Sequence, residues 1–158
     1  MAGDRFFRRG KTRAFFVASI AAPAAPTAAE IAAGTEISDE INDIQGFGFK
    51  TDRIDVPALD SEFTPSIGGE QKADDSSLTL YLNSDSNPLR TTLAFGSDGF
   101  IVFCDYKPSG AIIATDVVDV YPVNVIGAPK ARSLKNDPAT WEAQLAVTAV
   151  PSEDVAVV

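Results

Sequence analysis

An antiparallel β-sandwich or barrel with one or two short helices, an N-terminal arm and a long loop is the fold that three observations predict. Two stretches alternate apolar and polar residues with period two, Leu78–Leu82 and Trp141–Ala149, the mark of half-buried strands. Three more, Thr12–Ile20, Gly99–Tyr106 and Thr115–Ile126, are rich in β-branched and aromatic residues. Only two short segments carry helix signals, so sheets must supply the layers. At 158 residues the chain has the length of one domain, enough to bury roughly 68–70% of its unfolded surface.

In chain order, Thr12–Ile20 predicts a strand with Ala14, Phe16, Ala18 and Ile20 on one face and Phe15, Val17 and Ser19 on the other. Ala21–Pro26 breaks it. Thr27 and Glu30 then form a T-x-x-E capping box before an alanine-rich turn, and Gly34 is expected in the left-handed position that ends the helix. Thr35–Ser38 and Ile44–Ile54 predict strands, with Gly46 and Gly48 allowing a bulge. Residues 55–77 are polar and acidic, interrupted by Pro57, Pro65, Gly68 and Gly69, and predict a long loop, either a floppy surface excursion or one ordered by a partner.

After the Leu78–Leu82 strand, Asn87 as N-cap, Pro88 at the first helical position and Gly96 as a stop predict a second short helix. Gly99–Tyr106 is apolar on both faces, as a central strand is. In Thr115–Ile126, Pro122 cannot donate to a ladder and predicts a sheet edge or a bulge. Trp141, Ala143, Leu145, Val147 and Ala149 are expected to face the core, and Pro151 to release a short tail. The organisation expected is a basic arm over 1–12, a domain over 13–151 with its long loop at about 55–77, and a tail over 152–158.

The chemistry is bounded by what is missing. There is no histidine and one cysteine, Cys104, so His-based catalysis, internal disulfides and Cys/His zinc sites are excluded. Cys104 lies in an apolar run and is expected to be buried and inert. The carboxylate pairs Asp39/Glu40, Asp74/Asp75 and Glu153/Asp154 are adjacent and solvated, unlike an acid/base pair held in two environments. Asn83–Asn87 suggests a calcium loop, but Pro88 and Ala94 stand where an EF-hand needs Gly and Glu; a helix-capping turn explains it better. No enzyme, metal or cofactor is expected.

Charge is unevenly spread. Residues 1–13 hold Arg5, Arg8, Arg9, Lys11 and Arg13 against Asp4, a net +4, which leaves −13 on the rest of a chain totalling −9. So acidic a body repels phosphate. A basic arm on an acidic body suits contact between copies. Although the basic head followed by AFFVASIAA imitates a secretory signal, Phe6 and Phe7 interrupt the basic part. No apolar run reaches the roughly 18 residues of a membrane span.

Pro26–Ser38 (PTAAEIAAGTEIS), Asp116–Val125 (DVVDVYPVNV) and the final alternating strand followed by PSEDV resemble corresponding parts of the major tail tube protein of long-tailed, actinobacteriophage-like siphophages. The resemblance implies a β-sandwich with a flanking helix, hexameric rings stacked into a tube, and a bore through which the genome leaves. The partners implied are other copies, tape measure and terminator proteins, and DNA passing without specific binding; no membrane is involved. The place implied is the virion tail, assembled in the host cytoplasm. The arginine- and phenylalanine-rich arm is unusual for the family, and the immunoglobulin-like domain that some members carry is not in the sequence.

On this reading, Phe6, Phe7, Arg8, Arg9, Phe63 and Ile67 are candidates for contact between subunits, and Asp39, Asp43, Glu70 and Asp74 for lining the bore. PTAAEIAAGTEIS is expected at a subunit joint. Two alternatives remain: a secreted acidic β-domain that binds a ligand or surface after signal cleavage, and a tail-completion or head-tail joining protein that forms one ring.

Overall fold

The computed structural model describes residues 3–158, which form ten strands and two short α-helices. Alternation in β1 (Arg13–Val17) serves two cores at once: Ala14 and Phe16 enter one, Phe15 and Val17 the other. The strand stops at Val17, so Ile20, expected on the face of Ala14 and Phe16, packs instead with Phe15 and Val17. Helix α1 (Ala28–Ala33) begins on the expected capping box: Glu30 N–H donates to Thr27 Oγ1 at 3.2 Å and Thr27 N–H to Glu30 Oε2 at 2.9 Å. Gly34 departs from expectation, being extended (φ −76°) and not left-handed. Glycine is needed there for space, because a Cβ would lie 2.7 Å from both Phe16 O and Val17 Cγ2.

The next eleven residues close the sheet. β2 (Thr35–Glu36) pairs antiparallel with β1, a 3-10 turn follows at Ser38–Glu40, and β3 (Ile41–Gln45) pairs with β6 (Ser76–Tyr81). With β7 (Asp98–Cys104), β8 (Val117–Gly127) and β9 (Thr140–Val147), the order is β2-β1-β7-β8-β9-β6-β3. Since β2 and β3 lie at opposite ends of that order yet only residues 37–40 separate them, the sheet must curl until its edges nearly meet. The result is a barrel-like sandwich. Arg13 pins the closing segment, donating from Nε and Nη2 to the two carboxylate oxygens of Glu36 at 2.8 Å each. That fork lowers the Glu36 pKa.

Inside the curl lies the larger core, with Phe16, Ile37, Leu78, Leu80, Ile101, Val123, Val125, Trp141 and Leu145. The second core covers the outer face of β1, β7 and β8 with Ile31 of α1, Ile20, Ile112 and Val157. Cys104 is fully buried there, as expected. Trp141, Ala143 and Leu145 face inward as their alternation predicts and Val147 is half-buried, but Ala149 lies past the end of the strand and is exposed. Helix α2 (Pro88–Thr92) also forms, but Asn87 makes no side-chain cap. Its amide instead accepts from Asn83 N–H at 2.8 Å and donates to Asn83 O at 3.0 Å, closing the 83–87 turn.

Four expectations are corrected. Ile44–Ile54 is not one strand: Gly46 (φ 82°) and Phe47 (φ 62°) turn the chain between β3 and β4 (Phe49–Asp55). The loop expected over 55–77 contains β5 (Ser66–Ala73), which pairs with β4, so only 56–65 stay irregular between them. The tail expected from 152 is a strand, β10 (Ser152–Ala156), paired with β8, and Val157 is buried. Pro122 sits on a central strand: β8 pairs with β10 through Val120 and with β9 from Val123, and proline falls at the change of partner, where no N–H is needed.

Gly34→Ala is expected to lower stability by about 1–3 kcal/mol, because the colliding Phe16 oxygen is backbone and cannot rotate away. The shift of the denaturant midpoint against the unchanged chain measures it.

Candidate assembly interface

β4 and β5 pair only with each other, and every residue of β4 is exposed. A lone two-stranded hairpin is marginal in water. This one also leaves Phe49, Ile54, Val56, Leu59, Phe63 and Ile67 uncovered, Leu59 and Phe63 almost entirely. Its ion pairs, Lys50–Asp74 at 3.5 Å and Lys72 with Asp52 and Glu70 at 3.8 Å, are exposed and contribute little. What holds it is its base. Phe47 is buried edge-on against Phe103 and Tyr121, each 5.2 Å away between ring centroids, and its N–H donates to Ser76 Oγ at 3.0 Å. The hairpin therefore projects from a fixed root with its apolar side chains unmatched.

At the mouth of the barrel a cleft of about 1010 Å³ opens beside this root. Asp105, two residues past Phe103, and Asp119, two before Tyr121, line it, joined by Glu153 and Asp154 of β10 and Asp43 of β3. Tyr121 Oη donates to Glu153 Oε1 at 2.7 Å, and Asp154 N–H to Asp119 Oδ1 at 2.7 Å. Burial raises the Asp119 pKa, and the nearby Asp154, Asp105 and Glu153 charges add to the rise. Burial and the Glu153 hydrogen bond likewise push the Tyr121 phenol up.

The N-terminal arm lies across this mouth. Arg8 Nη1 donates to Asp105 Oδ1 at 3.0 Å, Thr12 Oγ1 to the same oxygen at 2.6 Å, and the Phe6 ring meets Tyr106 at 5.5 Å. Two of the sequence-derived contact candidates, Phe6 and Arg8, thus touch their own chain, while Phe7 is exposed and Arg9 lines the cleft with no ion pair among the described residues. Phe63 stands in the 56–65 loop and Ile67 pairs across the hairpin with Ile54.

The acidic candidates are not brought together. Asp39 is on the 3-10 turn and Asp43 on β3, accepting from Ile44 N–H at 2.9 Å, whereas Glu70 and Asp74 belong to the hairpin and face lysines. Of the carboxylates of the cleft, sequence reasoning took only Asp43 as a site candidate. The signal was there in part, since alternation in DVVDVY sets Asp119 and Tyr121 on one face, but Asp105, Glu153 and Asp154 come from strand ends far off in sequence. Among the described residues no group of carboxylates, cysteine or histidine is arranged to hold a metal ion, and no helix is long and apolar enough to cross a membrane.

A family model described as "Phage tail tube protein" matches residues 1–158. Among solved structures, a chain of the "Cryo-EM structure of the anti-feeding prophage (AFP) baseplate, 6-fold symmetrised" is similar, with a TM-score of 0.63 and 8% sequence identity. The likeness covers 94% of this chain and 95% of that one; at such identity it speaks for the fold alone. No curated protein matches.

Asp119 makes stability depend on pH. Its folded-state pKa is raised, so the native state binds the proton more readily, and stability falls as pH rises from the ordinary aspartate value of 3.8 through the raised one. Asp119→Asn keeps an acceptor for Asp154 N–H and removes the charge. The variant is expected to be more stable than the unchanged chain at pH 7, with the gap closing towards pH 4; urea midpoints at the two pH values check this.

Proposed function

The chain belongs to the phage tail tube protein family, which is structural and not enzymatic, and on that premise we propose that its copies close into hexameric rings that stack into a tube. Through the tube's acidic bore the viral genome passes during ejection. The observation that carries this reading is the β4–β5 hairpin, whose exposed apolar residues and unpaired edges call for neighbouring copies. A head-to-tail interface that closes supplies them without leaving an edge to aggregate. Sixfold symmetry draws support from the similar chain, which comes from a complex described as 6-fold symmetrised.

The net charge of −9 supports a bore that repels the duplex, so that DNA slides without ion pairing. Asp39, Asp43, Glu70 and Asp74 are the proposed lining, with Phe63 and Ile67 at the joints between subunits. The domain from 13 to 151 is the proposed building unit. Tape measure and terminator proteins are the proposed partners at the tube's inside and end, and assembly is placed in the host cytoplasm before the tail joins the virion.

Electron microscopy of the purified, concentrated protein tests the reading. Tubes of stacked rings are expected; single rings would favour a joining or completion role, and monomers under all conditions would overturn assembly. Phe63→Ser with Ile67→Ser is expected to abolish tubes while changing monomer stability by no more than about 0.5 kcal/mol, since both side chains already face water. Micrographs and thermal unfolding of the same sample read the two effects.

A further inference from the structure

We propose that the N-terminal arm is an exchangeable strap: in a free subunit it seats on its own cleft, and in the assembly the same segment seats on the cleft of a second copy. This rests on the tail tube reading and adds a control to it. An unassembled copy covers the surface its neighbour needs.

The seat belongs to the body and the arm merely lies on it. Asp105 is 8% exposed, whereas the Arg8 side chain that pairs with it is 69% exposed. With its cation so open to water, the ion pair contributes little. Phe6 keeps 40% of its surface exposed on Tyr106. The strap is therefore recognised by charge and shape but weakly held, as exchange requires.

The fit within one chain is also incomplete. Phe-x-Arg uses Phe6 and Arg8, while Phe7 stays 71% exposed and, among the described residues, Arg5, Arg9 and Lys11 form no ion pair. Across the cleft, among the described residues, Asp119, Glu153 and Asp154 form none either. Cations and carboxylates thus remain to be matched, and a second copy brings both.

A hinge is present. Arg8 O accepts from both Lys11 N–H and Thr12 N–H at 2.9 Å, and Gly10 takes φ 77°, so the chain doubles back just before β1. Opening that turn gives up two solvent-accessible hydrogen bonds. Residues 3–12 extended would then reach roughly 33–36 Å, the span of a small domain. Exchange of a terminal element through a short hinge is a low-cost route to association.

Cysteine pairs across the Phe6–Tyr106 contact test the proposal, with Cys104 fully buried and out of reach. Copies carrying Phe6→Cys alone are mixed with copies carrying Tyr106→Cys alone, assembled and oxidised. Disulfide dimers are expected from the tubes and not from the unassembled mixture. The double variant, oxidised as a free subunit, is expected to lock within one chain and to lose tube growth until a reductant is added. Locked copies growing tubes at the normal rate, or assembled mixtures without interchain disulfides, would overturn the strap. The unchanged protein run alongside separates the two ideas: if it forms tubes, only the strap has failed, and if it forms neither rings nor tubes, the tail tube reading falls with it.

Discussion

Closure of the sheet by residues 35–45 is the constraint on which the rest of the molecule depends. One short segment must hydrogen-bond to β1 on one side and to β6 on the other, so the strands between them have no freedom to flatten. Curling creates an inside for Trp141, Leu78, Leu80 and their neighbours, and an outer face that α1 and Val157 cover. The same segment ends at Gly46, whose turn drives Phe47 into the barrel mouth and aims the hairpin outward. A closed body and a projecting hairpin are thus two results of one chain path.

The division of labour in stability follows. The barrel has two buried cores and is complete by itself, whereas the hairpin and the arm lie outside both. The hairpin is anchored only at its base, by Phe47, and the arm only by its seat on the cleft. On the proposed reading, that separation suits a subunit that folds alone before it polymerises. Its stability does not rest on the parts it offers to partners.

Legibility in the sequence tracked how local each cause was. The α1 capping box, the inward Trp141, Ala143 and Leu145, and the burial of Cys104 follow from neighbours within a few residues, and all are present. β5 was hidden because SIGGEQKA has two glycines, two charged residues and a single large apolar side chain; only pairing with β4 makes it a strand. Gly34 could be read as a helix stop, but its reason is the approach of α1 to β1, a contact the chain order does not display. Pro122 was read as an irregularity without its meaning, since the change from β10 to β9 beside β8 is a matter of topology. The cleft was the least visible, its carboxylates being drawn from four strands and their ends, distant in sequence, and its cover from the arm.

The pairing of β1 with β7 also sets the tempo of folding. Thr12 and Asp105 meet although 93 residues separate them, and the second core is completed by Val157 beside Ile31. Contacts so distant in sequence close large loops before they are rewarded, which makes folding slow. On the ribosome, β1 emerges long before its partner, so the barrel cannot form until nearly all of the chain is out. A nascent chain therefore has neither cleft nor rooted hairpin, because Asp105, Tyr121 and Glu153 come together only when the barrel closes.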